Sequence, residues 1–160
     1  MNNHEIISQT SAAIIKMIKA ALVPKIIRNE GDIGLSSEIS ELNHELSVVM
    51  YNIVMLNPKL YETGNKNDLI IGLEYMIAVE SKEEINMRPL AEQQIMGAVL
   101  TLFNNNNILT LPSQEQPIVI TLSNISLENK ARMELKCPAL YYFAAPAVIK
   151  APKEIAPPIR

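Results

Sequence analysis

The chain has 160 residues, of which 48% are apolar and 4% aromatic, and its 14 Lys and Arg against 17 Asp and Glu leave a formal net charge of −3. That length suits one core burying about 68–70% of the unfolded surface; the single cysteine, Cys137, excludes an internal disulfide framework, and with only two histidines, His4 and His44, a conventional zinc site is short of ligands. The mild acidity excludes the strongly basic surface that nucleic acid or an acidic membrane requires, and the absence of Trp leaves a small-molecule pocket poorly supplied with aromatics.

The first residues lack the basic region of a secretory signal, and Lys16 and Lys19 interrupt the apolar stretch that follows. The longest nearly uncharged apolar run, residues 139–149, is broken by Pro146 and falls short of the roughly 18 residues of a membrane span. The expectation is a soluble protein made in the cytoplasm, with neither membrane nor nucleic acid as partner.

Over residues 3–23, Ile7, Ile14, Ile18 and Leu22 form one stripe of an α-helix, with Ser11 as its break. Asn2 or Asn3 supplies a cap, and Pro24 ends or kinks the helix. Lys16, Lys19, Lys25 and Arg28 read as a solvated basic face. A loop with Gly31 and Gly34 then leads to Glu38, Glu41 and Glu45, which lack the Asp and Gly pattern of a calcium loop.

Residues 46–56 are β-rich and almost continuously apolar, the pattern of a strand buried on both faces. Asn57-Pro58 closes it, and a polar turn from Gly64 to Asp68 precedes a second strand. There Leu69, Ile71, Leu73, Tyr75, Ile77 and Val79 line an apolar face, and the other face is mixed. The two strands read as an antiparallel pair joined by a long loop.

Glu83-Glu84 opens a second long helix with Ala91, Ile95, Val99 and Leu102 or Phe103 on its inner side. Gly97 in its middle implies close approach of the helix to the sheet, and Asn104 to Asn107 stop it. Residues 118–122 form a short strand, Ser126 caps a helical turn over 127–135, and residues 139–149 form a last strand that Pro146 pushes to an edge or a bulge. The fold class is therefore α+β: a mainly antiparallel mixed sheet of about four to five strands packed on two long helices. Residues 1–149 form the domain; residues 150–160, with Pro152, Pro157 and Pro158, make a Pro-rich tail, disordered or laid on a partner as an extended segment.

No phosphate loop, nucleophile elbow, metalloprotease or paired-cysteine motif occurs. Cys137, flanked by Lys136 and Pro138, reads as a buried structural thiol, and His4 and His44 as solvent-exposed side chains. Catalytic, metal and cofactor residues are accordingly none. The tentative interface residues are Tyr141 and Tyr142 on the last strand and Lys150, Lys153 and Arg160 in the tail.

Across residues 5–149 the chain resembles the tail-terminator or cap proteins of extracellular contractile injection systems, the phage-tail-like particles of the antifeeding-prophage type. The resemblance rests on Met50-Tyr51 with Asn57-Pro58, Leu73-Glu74-Tyr75-Met76, and Glu92-Gln93-Gln94-Ile95-Met96-Gly97 ahead of an Asn-rich stop and Ile108-Leu109. Ile118-Val119-Ile120, Leu127-Glu128, Ala139-Leu140-Tyr141-Tyr142 and Pro146-Ala147-Val148-Ile149 follow in order. The chain departs from the family pattern at Gln93, where a His is expected, and at Arg132-Met133, near an expected Trp. The resemblance implies a non-enzymatic subunit of a six-fold ring that ends the inner tube and anchors the last sheath layer. Partners would be further copies, forming a homo-hexamer, with tube and sheath proteins, in a particle assembled after cytoplasmic synthesis. Another structural adaptor of such a particle, or a small enzyme with an unrecognised site, are the alternatives.

Overall fold

The computed structural model describes residues 3–38, 42–61, 67–125, 128, 130, 133 and 136–152. A 3-10 turn, Asn3–Glu5, leads into α1 (Ile6–Leu22), and a second, Glu30–Asp32, into β1 (Ile33–Leu35). Then come β2 (Leu46–Met55), a 3-10 turn Pro58–Leu60, β3 (Leu69–Val79), α2 (Arg88–Asn105), β4 (Ile108–Leu109), β5 (Ile118–Leu122) and β6 (Ala139–Ile149). The strands form one mixed sheet in the order β1-β2-β3-β6-β5-β4, with β1 parallel to β2 and the other pairs antiparallel. The α+β architecture with two long helices is as expected, but among the described residues the sheet has six strands rather than four to five. The additions, β1 and β4, are edge strands of three and two residues, too short to carry a hydrophobic period.

On α1 the buried positions are Ile6, Thr10, Ser11, Ile14, Ile18 and Leu22. The stripe thus starts at Ile6, with Ile7 half-buried, and Ser11 continues it instead of breaking it. Two hydroxyls make this possible: Thr10 Oγ1 donates to the Ile6 carbonyl at 2.7 Å, and Ser11 Oγ lies 2.7 Å from the Tyr75 hydroxyl. Glu5 rather than Asn2 or Asn3 precedes the first helical residue, with no side-chain cap. The helix ends at Leu22, ahead of Pro24, as expected.

β2 pairs with β3 from Leu46↔Val79 to Met55↔Ile71, so the antiparallel pair is as expected. Only the first half of β2 is buried on both faces. The main apolar cluster takes in Leu46 and Val48 and touches Met50, but stops before Ile53 and Met55. β1 pairs with residues 46–48 alone, so the rest of β2 has one unpaired edge in the described sheet. β3, between β2 and β6, is covered on both faces: beneath the helices by Ile71, Leu73, Tyr75, Ile77 and Val79, and opposite by Ile70, Met76 and Ala78.

β6 is central, between β3 and β5, so Pro146 sits not at an edge but at a bulge, where the pairing steps from Ile71↔Ala147 to Leu73↔Ala144. A residue without an N–H fits there because the ladder is already interrupted. Gly72 lies in the same step, and a Cβ there would come within 2.1 Å of the Phe143 ring.

α2 begins at Arg88, after a turn over residues 83–87, with Pro89 in its first turn. It starts later than the expected Glu83-Glu84, and Pro89 suits its first turn, where the missing N–H has no intrahelical partner. Ile95, Val99 and Phe103 are its buried stripe. Gly97 faces outward with no atom of another element within 4 Å of an added Cβ, so close helix-to-sheet packing is not its reason. The turn expected over residues 127–135, with Ser126 as its cap, lies largely outside the described residues.

Candidate interaction surfaces

Consecutive residues of a strand point to opposite faces, and Tyr141 and Tyr142 on β6 do so. Tyr142 packs under the helices with its ring 4.9 Å from that of Phe103, and burial pushes its hydroxyl up to about 12. Tyr141 joins Val49, Met76 and Ala78 in a smaller cluster on the other face, edge-on to Tyr51 at 6.2 Å. Both tyrosines are largely buried in the chain. Lys150 follows β6 directly and is exposed, whereas Lys153 and Arg160 lie outside the described residues. Tyr141 and Tyr142 therefore lie on opposite faces of the sheet.

What the fold does fix is the exit of the chain from β6. The buried Asp68, just before β3, accepts a hydrogen bond from the Ala151 backbone N–H at 2.9 Å. This ties the start of the tail to the end of the sheet where β2 gives way to Asn57-Pro58.

Residues considered for chemistry have structural surroundings. Cys137 is half-buried, and burial, with Glu80 and Glu92 nearby, raises its thiol pKa, the reverse of what activates a nucleophile. His4 is exposed as expected, but His44 is half-buried: its ring packs over Gly34, where a Cβ would approach it to 2.5 Å, and its Nδ1 lies 3.3 Å from the Gly31 carbonyl. Gly34 thus makes room for the imidazole. Beside it Asp32 pairs with Lys82, whose ammonium holds the carboxyl below its usual range, while burial raises Glu45. Glu41 lies outside the described residues, and among those described no three His, Cys, Asp or Glu side chains gather where they could hold a metal. No helix among them is long and apolar enough to cross a membrane.

The surfaces that sequence reading missed are apolar. Met55 at the end of β2 is 72% exposed, Ile85 in the turn before α2 is 77% exposed, and Leu90 at the start of α2 is 65% exposed. Leu122 at the end of β5 is also exposed. A signal for part of this set is present: Leu90 and Leu100 fall off the Ile95, Val99 and Phe103 stripe, so α2 carries apolar residues on both sides.

No family model and no curated protein matches the sequence. Among solved structures, the chain is similar to the tube-terminating cap of the anti-feeding prophage, determined by cryo-EM, at 17% identity and a TM-score of 0.55. The match covers 94% of this chain and 58% of the other, so this chain spans little more than half of that protein's length. The chain shares its fold with a tube-terminating cap.

Proposed function

We propose that the chain is a structural cap subunit of a contractile, phage-tail-like particle, one of about six copies in a ring that ends the inner tube and anchors the last sheath layer. The observation that carries this reading is the fold shared with a tube-terminating cap over 94% of the chain. The exposed apolar side chains on β2, β5 and the start of α2, with the β2 edge that is unpaired among the described residues, are surfaces suited to subunit contacts. The work is assembly rather than catalysis, in keeping with a thiol held protonated and a histidine engaged in packing. Residues 1–149 form the ring domain. From Lys150 onward the chain reaches a neighbouring subunit or the sheath, launched from the Asp68 tether.

Sedimentation and negative-stain microscopy of the purified full chain test this. The expected result is a ring of about six chain masses that binds the end of a tube assembled from the particle's own tube protein. A chain that stays monomeric at the highest attainable concentration, and leaves tube ends bare, overturns it. Removing residues 153–160 tests the tail separately: rings that still capture sheath would show that those residues are not the docking segment.

A further inference from the structure

We propose that copies of the chain join edge to edge, β1 of one copy filling the open stretch of β5 in the next while β4 of that copy fills the open stretch of β2. The sheet ends in two short strands that sit in opposite halves. β1 pairs with Leu46, Ser47 and Val48, whose β3 partners are Val79, Ala78 and Ile77, so it covers β2 only at the Val79 end. β4 pairs with Ile118 and Val119, so it covers β5 only toward the opposite end, where β6 runs out to Ile149. Among the described residues this leaves one edge of β2 unpaired from Val49 to Met55 and one edge of β5 unpaired at Thr121 and Leu122. Rows of N–H and C=O groups along such edges call for a strand partner.

Each gap has the place of the strand that projects from the other edge. Two copies set side by side in the same orientation put β1 of one and β4 of the other end to end, in a single row between β2 and β5. By their directions within the sheet, β1 then runs antiparallel to β5 and β4 parallel to β2. The side chains agree: none of β1, β2, β4 and β5 contains a charged residue or a proline, the usual guards of an exposed edge. Leu35 on β1 pairs with Val48, and Leu122 on β5 with Tyr142, both under the helices, so the two leucines share the helix side of the sheet. They are 53% and 57% exposed, and the joint covers each with the other. β1 is level with Ala78 and the open part of β5 with Glu74 and Tyr75, which offsets neighbouring copies by about three residues, or roughly 10 Å along the strands. Strands that close into a ring of sheet need such a stagger. Two different edges make a head-to-tail contact, which closes when the rotation permits. This deepens the ring reading above and rests on it.

Cross-linking of the full chain is the test. Leu35→Cys with Leu122→Cys, in a Cys137→Ser background, is treated with a short bis-maleimide that also bridges a diagonal pair of about 7–8 Å. The expected product is a ladder of covalent oligomers ending at the ring, with neither single-cysteine variant giving one. Separately, Leu122→Lys should weaken assembly about tenfold by sedimentation, and adding Leu35→Glu should restore it through an opposite-charge pair. Both positions are exposed, so these variants keep the parent melting temperature. Rings whose double-cysteine form cross-links no more than the single variants, or that assemble as tightly with Leu122→Lys as without it, would overturn the edge joint while leaving the ring standing. Dimers cross-linked by Leu35→Cys alone would replace it with a two-fold contact between β1 strands. A parent chain that never self-associates would remove both the joint and the ring.

Discussion

The hydroxyls of Ser11 on α1 and Tyr75 on β3 lie 2.7 Å apart in the interior, joining the first helix to the centre of the sheet across 64 residues of sequence. Each is the other's buried partner, so removing one orphans the other. Ser11→Ala and Tyr75→Phe are each expected to destabilise the chain by about 1–3 kcal/mol. The double variant should cost clearly less than the sum, since it leaves no unpaired hydroxyl. Urea unfolding of the four proteins checks this, and strict additivity would show that the pair is not coupled.

The same tyrosine sets an alkaline limit on stability. Burial pushes the Tyr75 hydroxyl up to about 12, against roughly 10 in an unfolded chain. A raised phenol is held protonated by folding, so its contribution is complete below about pH 10 and is lost as the pH climbs toward about 12. For Tyr75 the loss amounts to about 3 kcal/mol. Urea midpoints at about pH 8 and about pH 11 should therefore diverge, and by less in Tyr75→Phe. An equal drop in both proteins would place the effect at other groups, of which Tyr142, also pushed up to about 12, is the first to substitute.

Periodicity made the interior legible and left the edges dark. Ile14, Ile18 and Leu22 on α1 and Ile95, Val99 and Phe103 on α2 are buried as their spacing requires. Ser11 misled because a serine reads as polar until its distant partner Tyr75 is known. β1 and β4 escaped because their pairing is decided by β2 and β5, not by their own few residues. Tyr141 and Tyr142 illustrate the site problem: alternation says that they face opposite ways, but only the covering of both sheet faces shows that both are interior. The apolar surfaces were hidden for the converse reason, since an exposed Met55 or Ile85 has the same sequence signature as a buried one.

Gly97 offers a direct probe of whether α2's outer face is covered. An added Cβ meets no atom of another element within 4 Å, so Gly97→Ala should stabilise the isolated chain by about 0.5–1 kcal/mol through helix propensity alone. Thermal melting of the monomer checks that gain. If a neighbouring subunit packs closely over the glycine, the same variant should melt higher yet assemble more weakly. Unchanged assembly would mean that this part of the helix is free in the ring.

Gln114 carries the final prediction. Its buried side chain acts as a missing stretch of strand beside the Pro146 bulge: Nε2 donates to the Pro146 carbonyl at 2.9 Å and also to the Gln116 carbonyl, while Oε1 accepts the Val148 N–H at 3.0 Å. An amide has both a donor and an acceptor end, which this site requires. Gln114→Ala exposes those backbone groups without a replacement and should cost about 2–4 kcal/mol. Gln114→Glu retains the acceptor for Val148 but turns a carboxylate toward two carbonyl oxygens. Its pKa in the folded state should therefore rise, and its stability deficit should be largest at neutral pH and shrink as the pH falls through that raised value. Urea unfolding between about pH 4 and about pH 7 separates the two variants. A deficit in Gln114→Glu that does not change with pH would show that the two carbonyls do not meet the carboxylate.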